Sequence, residues 1–511
     1  MVSFREPRRK VSSIAIIGAG PSGLAAAKYL LAEQCFTNVT ILEQRATVGG
    51  TWNYVPISPS ELTSKELVVP QTDPHAGHDV PLWRSSGAES GLLGEQEQSG
   101  DAVFLSPLYE RLETNIPRNL MGFSDLDWSD ECQLFPTHEE VMAYIERYAK
   151  DVRHLIRFRT QVLDVRLVEG QGGKDQWVVR TKSVAADDRG NDGEQVYDAV
   201  VVASGHFNVP YIPDLKGIKA WNERYPGVIL HSKFYRRSEE YKGKKVVVVG
   251  NSASGIDIGA QISIVCARPL LQSARSESFL LSDASSSVRD MPEIIEFILP
   301  AAGNSPTRAV RFADGTIEGN IDAIIFCTGY FYSYPFLQSL DPPLVSDGTR
   351  TENLYQHLFY RPHPTLAFPT LPQKIIPFPI AEAQSAVVAR VWSGRLSLPP
   401  ESDMRDWERK TLSENGPGRG FHLLKFPKDA NYIDELHDWA MSAEPGEGGV
   451  RGKEPPYWGE KEYWMRERFP AIKKAFQGLG EGRRGVRRVE EIGFDFEAWK
   501  RERDEEGKRL L

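Results

Sequence analysis

Cysteine is the scarcest chemistry-bearing residue in this 511-residue chain, with only Cys35, Cys132, Cys266 and Cys327 present. The nearest two are 61 residues apart, which excludes a CxxC pair for dithiol redox work and any ligand spacing for structural zinc. Sparse, scattered thiols in a large chain fit a reducing compartment. Long apolar runs are missing too, so no stretch is predicted to span a membrane. The basic segment from Met1 to Val11 leads straight into an apolar strand and lacks the cleavage site of a secretion signal, so the expected address is cytoplasmic. Nor is there an excess of positive charge. With 61 Lys and Arg against 70 Asp and Glu, the formal charge of −9 argues against nucleic acid or an anionic membrane as main partner. No catalytic triad or metal-ligating cluster is recognisable. The 41% apolar and 26% charged content is ordinary for a globular protein, and the length suits two or more domains.

What is present begins at residue 13. Ile14 to Ile17 is an apolar β run, and Gly18-Ala19-Gly20-Pro21-Ser22-Gly23 then fits G-x-G-x-x-G before a helical stretch from Leu24 to Ala32. A second strand, Val39 to Leu42, ends in Glu43, 20 residues after Gly23. In such a βαβ unit Gly18 makes the tight turn, Gly20 lets the backbone approach a pyrophosphate, and Gly23 permits close helix–strand packing. Glu43 can accept hydrogen bonds from an adenosine ribose, and its charge would repel a 2′-phosphate, so FAD or NAD suits this site better than NADP. The following Gly49-Gly50-Thr51-Trp52 allows a loop to lie against the bound cofactor, with Trp52 either covering it or packed in the core.

The pattern returns 232 residues later. Val246 to Val249 is a fully apolar strand of the buried parallel type, and Gly250-Asn251-Ser252-Ala253-Ser254-Gly255 repeats the turn ahead of a helix from Ile256 to Ile264. Arg275 stands 20 residues after Gly255, the position Glu43 holds in the first unit, and Ser273 precedes it. A guanidinium there can clamp a 2′-phosphate, which favours NADPH over NADH. Two nucleotide sites imply electron transfer between two cofactors.

Between the turns, Tyr225-Pro226-Gly227 leads through His231 to Tyr235. With its flanking glycine motifs this resembles the flavin-containing monooxygenases, whose pattern is F-x-G-x-x-x-H-x-x-x-Y/F; Tyr225 replaces the first Phe. The related Baeyer–Villiger enzymes end the pattern in Trp followed by Pro or Asp. Tyr235-Arg236 instead resembles the branch that oxygenates sulfur and nitrogen. Thr114-Asn115-Ile116-Pro117 with Leu120-Met121 is similar to the family's T-N-x-P-K-E-x-M stretch, with Asn119 where Glu is usual. Phe326-Cys327-Thr328-Gly329-Tyr330 resembles the F-A-T-G-Y turn that returns the chain to the FAD domain, and Val202-Ala203-Ser204-Gly205-His206 has a similar form. Phe378 to Gln384 with Ala389-Arg390 looks like the segment that closes over the flavin.

The resemblance implies an α/β fold of two Rossmann-like dinucleotide-binding domains, the NADPH domain (213–326) inserted into a discontinuous FAD domain (1–212 and 327–511). Expected cofactor contacts are Gly18, Gly20, Pro21, Ser22, Gly23, Glu43, Gly50, Thr51 and Trp52 for FAD. For NADPH they are Gly250, Ser252, Ser254, Gly255, Ser273 and Arg275. Asn115, Thr328, Gly329 and Gln384 complete the set. In the implied mechanism NADPH reduces the flavin and O₂ forms a C4a-hydroperoxide. A small-molecule sulfur or nitrogen then takes one oxygen, with Asn115 as the catalytic side chain near the reacting oxygens. The rival readings are an NADPH oxidase that releases peroxide and a Baeyer–Villiger oxygenase. A dithiol reductase on the same domains would need the missing CxxC. His231 reads as a bridge between the domains, and Cys327, Met121 and Trp128 read as packing residues. Residues 56–103, rich in Ser, Gly, Pro and acid, read as a surface insertion that tolerates shortening, and the charged tail from Gly480 reads as solvated helix. Oligomeric state has no signature.

Overall fold

The computed structural model describes residues 11–57, 67–84, 101–170, 174–185, 188, 192–276, 287–300 and 307–509. The basic N-terminus before Val11 lies outside the described residues, as do parts of the 56–103 segment.

Strand β1 (Ser13–Ile17) pairs in parallel with β2 (Asn38–Leu42) on one side and with β4 (Ala199–Val202) on the other, while β3 (Ile156–Arg157) extends the sheet beyond β2. Helix α1 (Pro21–Ala32) makes the crossover from β1 to β2. Apart from Ser13, Asn38, Thr40 and Arg157 these strands are apolar, because both faces are covered. Alternation with period two divides them. Ile14, Ile16, Val39, Ile41 and Val201 enter one core, against Ala25 to Ala27 of α1 and Ala383 and Ala386 of a later helix, Pro377–Trp392. Ala15, Ile17, Leu42, Val200 and Val202 enter the opposite core, with Trp177 and Tyr360. Each of the buried Ile, Leu and Val side chains contributes about 1.5–3 kcal/mol.

A second parallel sheet repeats the design with β6 (Val246–Val249) at its centre. It runs β5 (Ile229–His231), β9 (Ala323–Phe326), β6, β7 (Leu270–Ser273), β8 (Val288–Met291). Helix α2 (Ala253–Ser263) follows β6 as α1 follows β1. Val247, Leu271, Ile324 and Phe326 face one core and Val246, Val248, Leu270 and Ile325 the other. The two crossings between the sheets run side by side as an antiparallel pair, Val209 opposite Phe331 and Pro210 opposite Tyr330.

Two expectations for the chain's outer segments need correction. In the 56–103 segment, Leu67 and Val69 pack on the second sheet's core, and Gln71 exchanges backbone hydrogen bonds with Ile212 at 3.0 Å each way. Gln161 Nε2 donates to the Asp79 carbonyl at 2.7 Å, and His78 Nε2 lies 2.8 Å from the Leu163 carbonyl. A few apolar residues and paired backbone are enough to dock a mostly polar stretch. The tail is likewise tied in: Leu134 N–H donates to the Val486 carbonyl at 2.9 Å, and Val489 and Phe496 are buried among its charges. Joining Val55 directly to Val103 should therefore destabilise the protein by about 3 kcal/mol, several degrees in melting temperature. An unchanged melt by differential scanning fluorimetry would show the segment to be dispensable.

Candidate active site

Each glycine turn is seated by a backbone contact that no side chain could share. Gly18 has φ of +104°, and a Cβ on it would lie 2.6 Å from the Ala203 carbonyl oxygen, at the end of β4. A Cβ on Gly23 would lie 2.0 Å from the Gly18 oxygen, so α1 rests directly on the turn. In the second unit Gly250, with φ of +108°, is 2.6 Å in the same sense from the Cys327 oxygen, and Gly255 is 2.0 Å from the Gly250 oxygen. The turns Ala203–Gly205 and Cys327–Gly329 thus occupy matching places in the two sheets.

The first turn opens onto a cavity of about 310 Å³ lined by Gly18, Gly20, Pro21 and Ser22, then by Glu43, Gly50, Thr51 and Trp52, with Thr370 and Phe378 also in its wall. Helix α1 starts there with no side-chain cap, so its first N–H groups are free to bind an anion. Gly50 approaches Gly20 so closely that its Cβ would be 3.0 Å from Gly20 Cα. Glu43 is 3% exposed; its Oε2 accepts from the Ala19 N–H at 2.7 Å and its Oε1 from the Arg45 N–H at 2.8 Å. The buried His206 lines the same cavity, and its Nε2 has no hydrogen-bond partner among the described residues. Gly-only backbone, an open helix start, a fixed carboxylate and an orphaned ring nitrogen fit a bound dinucleotide.

The remaining predicted site residues lie elsewhere. Gln384 is fully buried behind the cavity: its Oε1 accepts from the Thr370 N–H at 2.6 Å and its Nε2 donates to the Tyr432 hydroxyl at 3.0 Å. Thr370, at φ of +63°, reaches the Ser22 hydroxyl at 2.9 Å, so Gln384 acts on the rim through Thr370. At the second turn Ser252 and Ser254 are exposed beside the open start of α2. Ser273 is fully buried and donates to the Pro292 carbonyl at 2.9 Å, whereas Arg275 is 74% exposed and pairs with Glu293 at 2.7 Å. The Thr328 hydroxyl donates to the Tyr211 carbonyl, and the Gly329 carbonyl accepts from His231 Nε2 at 3.0 Å. Since His231 Nδ1 accepts from the Lys233 N–H at 3.1 Å, the ring is the neutral Nε2–H tautomer, and burial pushes its pKa down to about 3. Asn115 is half-buried in the loop after Glu113 and is not among the residues lining the cavity. Sequence reasoning missed Thr370, while Phe378 and His206 were named only within longer segments and not as cavity-lining residues. Only His206, directly after a turn of the Ala-Ser-Gly type, carried a local signal.

The chain matches the family model described as flavin-binding monooxygenase-like over residues 86–295 and 300–445, and a model for an NAD(P)-binding Rossmann-like domain over 16–65. The chain belongs to the flavin-containing monooxygenase family. The flavin-containing monooxygenase ustF2 of Aspergillus flavus is 30% identical over 497 residues, covering 90% of this chain and 98% of that protein. Flavin-containing monooxygenase FMO GS-OX4 of Arabidopsis thaliana is 34% identical over 406 residues, covering 77% and 76%. The solved structure of S-allyl-L-cysteine S-oxygenase from Allium sativum superimposes with a TM-score of 0.69 at 29% identity, covering 94% of this chain and 96% of that one. This flavin-containing monooxygenase is accordingly an NADPH-dependent oxidoreductase with FAD and NADPH as cofactors and two dinucleotide-binding domains. Among the described residues no helix is long and apolar enough to cross a membrane, and no group of three His, Cys, Asp or Glu could hold a metal ion.

Burial also lowers His206 to about 4 and His357 to about 3, and carries His422 well below the usual histidine range. Between those values and about 6.5 the unfolded chain holds protons that the folded chain does not. The stability these neutral rings allow is complete above about pH 6.5 and is lost as pH falls, by about 1.4 kcal/mol per pH unit for each ring. The melting temperature should drop steadily between about pH 6.5 and pH 4.5, less steeply in His206→Gln. A flat profile would mean that the folded rings already carry protons.

Proposed function

We propose that this monooxygenase transfers one oxygen atom of O₂ to the sulfur or nitrogen lone pair of a small molecule, in the cytoplasm. The observation that carries this is the end-to-end superposition on an S-oxygenase, at 94% and 96% coverage. Tyr235-Arg236 supports it, since it departs from the Trp-Pro or Trp-Asp ending of the Baeyer–Villiger pattern. Tyr235 is fully buried and donates to Gln261 Oε1 at 3.2 Å. One guanidinium nitrogen of Arg236 donates to the carbonyls of Leu108, Lys233 and Tyr235 at 2.8–3.0 Å. The sparse, scattered cysteines, with no CxxC pair, support the cytoplasmic address.

When bound, FAD reduced by NADPH supplies the oxygen-activating chemistry. The protein binds, orients and shields. With Gly18 and Ala19 N–H bonded to Leu42 and Glu43 and Pro21 lacking one, the Gly20 and Ser22 N–H groups would hold the pyrophosphate, and Glu43, locked by Ala19 and Arg45, would accept from the adenosine ribose. Ser252, Ser254 and Arg275 would take the NADPH phosphates; Arg275 can swing from Glu293 because an exposed ion pair holds it by less than about 1 kcal/mol. His231, neutral and bracketed between two backbone groups, keeps the junction between the domains in register and moves no proton. Trp52 and Phe378 exclude water from the cavity. With the cofactors bound, the Asn115 carboxamide would donate hydrogen bonds toward the reacting oxygens.

Arg275→Ala should raise KM for NADPH about tenfold to a hundredfold, the worth of a charge-assisted phosphate contact of roughly 1.5–3 kcal/mol, and leave NADH almost untouched. An equal loss with both coenzymes, read from steady-state kinetics, places Arg275 away from the 2′-phosphate. Asn115→Ala should keep anaerobic flavin reduction by NADPH near wild type and lose about 2.7–4 kcal/mol at the oxygenation step. With a panel of thiols, sulfides and amines, the variant should release hydrogen peroxide where wild type forms oxygenated product. Collapse of flavin reduction would make Asn115 an NADPH-positioning residue, and no change in either step would make it a turn residue.

A further inference from the structure

The loop that carries Asn115 is gripped from two sides, and one grip comes from helix α6 (Glu460–Gly478), far along the chain. Lys473 of α6 is 6% exposed, and its Nζ donates to the Thr114 carbonyl at 2.7 Å, one peptide before Asn115. Its ammonium lies 4.5 Å from the Phe135 ring centre and 5.6 Å from that of Phe476, an arrangement that favours a retained positive charge. Just beyond α6, Arg483 Nε holds both oxygens of Glu113 at 3.1 Å. From the opposite side comes α2, the helix that begins at the second glycine turn. Its Asp257 accepts from the Tyr109 hydroxyl, and Gln261 Nε2 donates to the Arg111 carbonyl at 3.3 Å. Residues 109–114 therefore join the NADPH-binding helix to α6, and Asn115 follows directly.

We propose that Lys473 is a positioning residue: by fixing the Thr114 carbonyl it sets the Asn115 carboxamide, so that the oxygen-handling side chain is placed jointly by α6 and the NADPH-binding helix α2. The inference rests on the role proposed for Asn115. A buried carbonyl left without a donor would turn to find another, and the adjacent peptide would turn with it. Lysine suits the task because its stem packs among aromatic rings while its head makes one strong, charge-assisted bond. Burial lowers the Lys473 pKa to about 8, with Asp257 and Glu113 favouring the charged form and Arg483 opposing it. Above about pH 8 the head becomes a neutral amine and the bond weakens. Placement of Asn115 should therefore loosen as pH rises through that value.

The test uses the FAD-loaded full chain with NADPH and air and no added substrate, so that peroxide release reports the leak alone. Lys473→Met keeps the length of the stem and removes the donor. It should raise the leak about tenfold, as Asn115→Ala does, and the double variant should leak no more than Asn115→Ala by itself. Hydrogen exchange of the Asn115 and Ile116 amides should speed up about tenfold in Lys473→Met and return toward wild type in Lys473→Arg. In wild type the leak should climb between about pH 7 and pH 9.5, whereas Lys473→Arg, charged throughout, should stay flat. If Asn115→Ala leaks and Lys473→Met does not, the inference falls and the role of Asn115 stands. If Asn115→Ala itself does not leak, both fall. Should Lys473→Met fail to hold FAD, the pH series decides, and a wild-type leak constant across that range overturns the inference.

Discussion

Two backbone contacts carry the architecture: Gly18 against the Ala203 carbonyl and Gly250 against the Cys327 carbonyl, each with a second glycine laid on the first. Neither tolerates a Cβ, because the meeting atoms are backbone on both sides and cannot yield. Where strand β1 meets the end of β4, and β6 meets the end of β9, the sheet stays open at its carboxyl edge and a helix N-terminus points into the gap. That edge is where open parallel sheets bind ligands.

The junction between them combines a neutral histidine with two anchored cations, Arg419 donating to the Tyr330 carbonyl at 2.9 Å and Lys233 Nζ to the Asn208 carbonyl at 2.6 Å. His231, buried and uncharged, ties β5 to the Gly329 turn, and the Val209–Pro210 and Tyr330–Phe331 stretches run side by side as the two crossings. A charged group there would need a partner or water. A larger group of charges surrounds the loop at 109–114, where Asp257, Glu113, Arg483 and Lys473 meet around carbonyls and a tyrosine hydroxyl. The loop leading to Asn115 is consequently held by side chains from α2, from α6 and from Arg483.

Much of the fold could be read from local spacing. A parallel strand buried on both faces is apolar throughout, a turn over a pyrophosphate is glycine-rich, and a helix must follow. All three constraints act within about 30 residues of chain, and so both units were legible at Ser13–Leu42 and Val246–Ser273. The docking of the 56–103 segment was not. Its composition says polar loop, and only the pairing of Gln71 with Ile212 and the packing of Leu67 and Val69 reveal a wall of the structure.

The sequence by itself determined the two dinucleotide units, their order along the chain and the family to which they belong, because each is specified by residues close enough to act on one another during a single turn of chain. Tertiary structure alone decided which polar groups finish the site. Ser22 meets Thr370 across 348 residues, and Lys473 meets Thr114 across 359. A lysine in a charged helix looks the same in sequence whether it faces water or a buried carbonyl. Only the packing of α6 against Phe135 takes the water away and makes that one hydrogen bond matter.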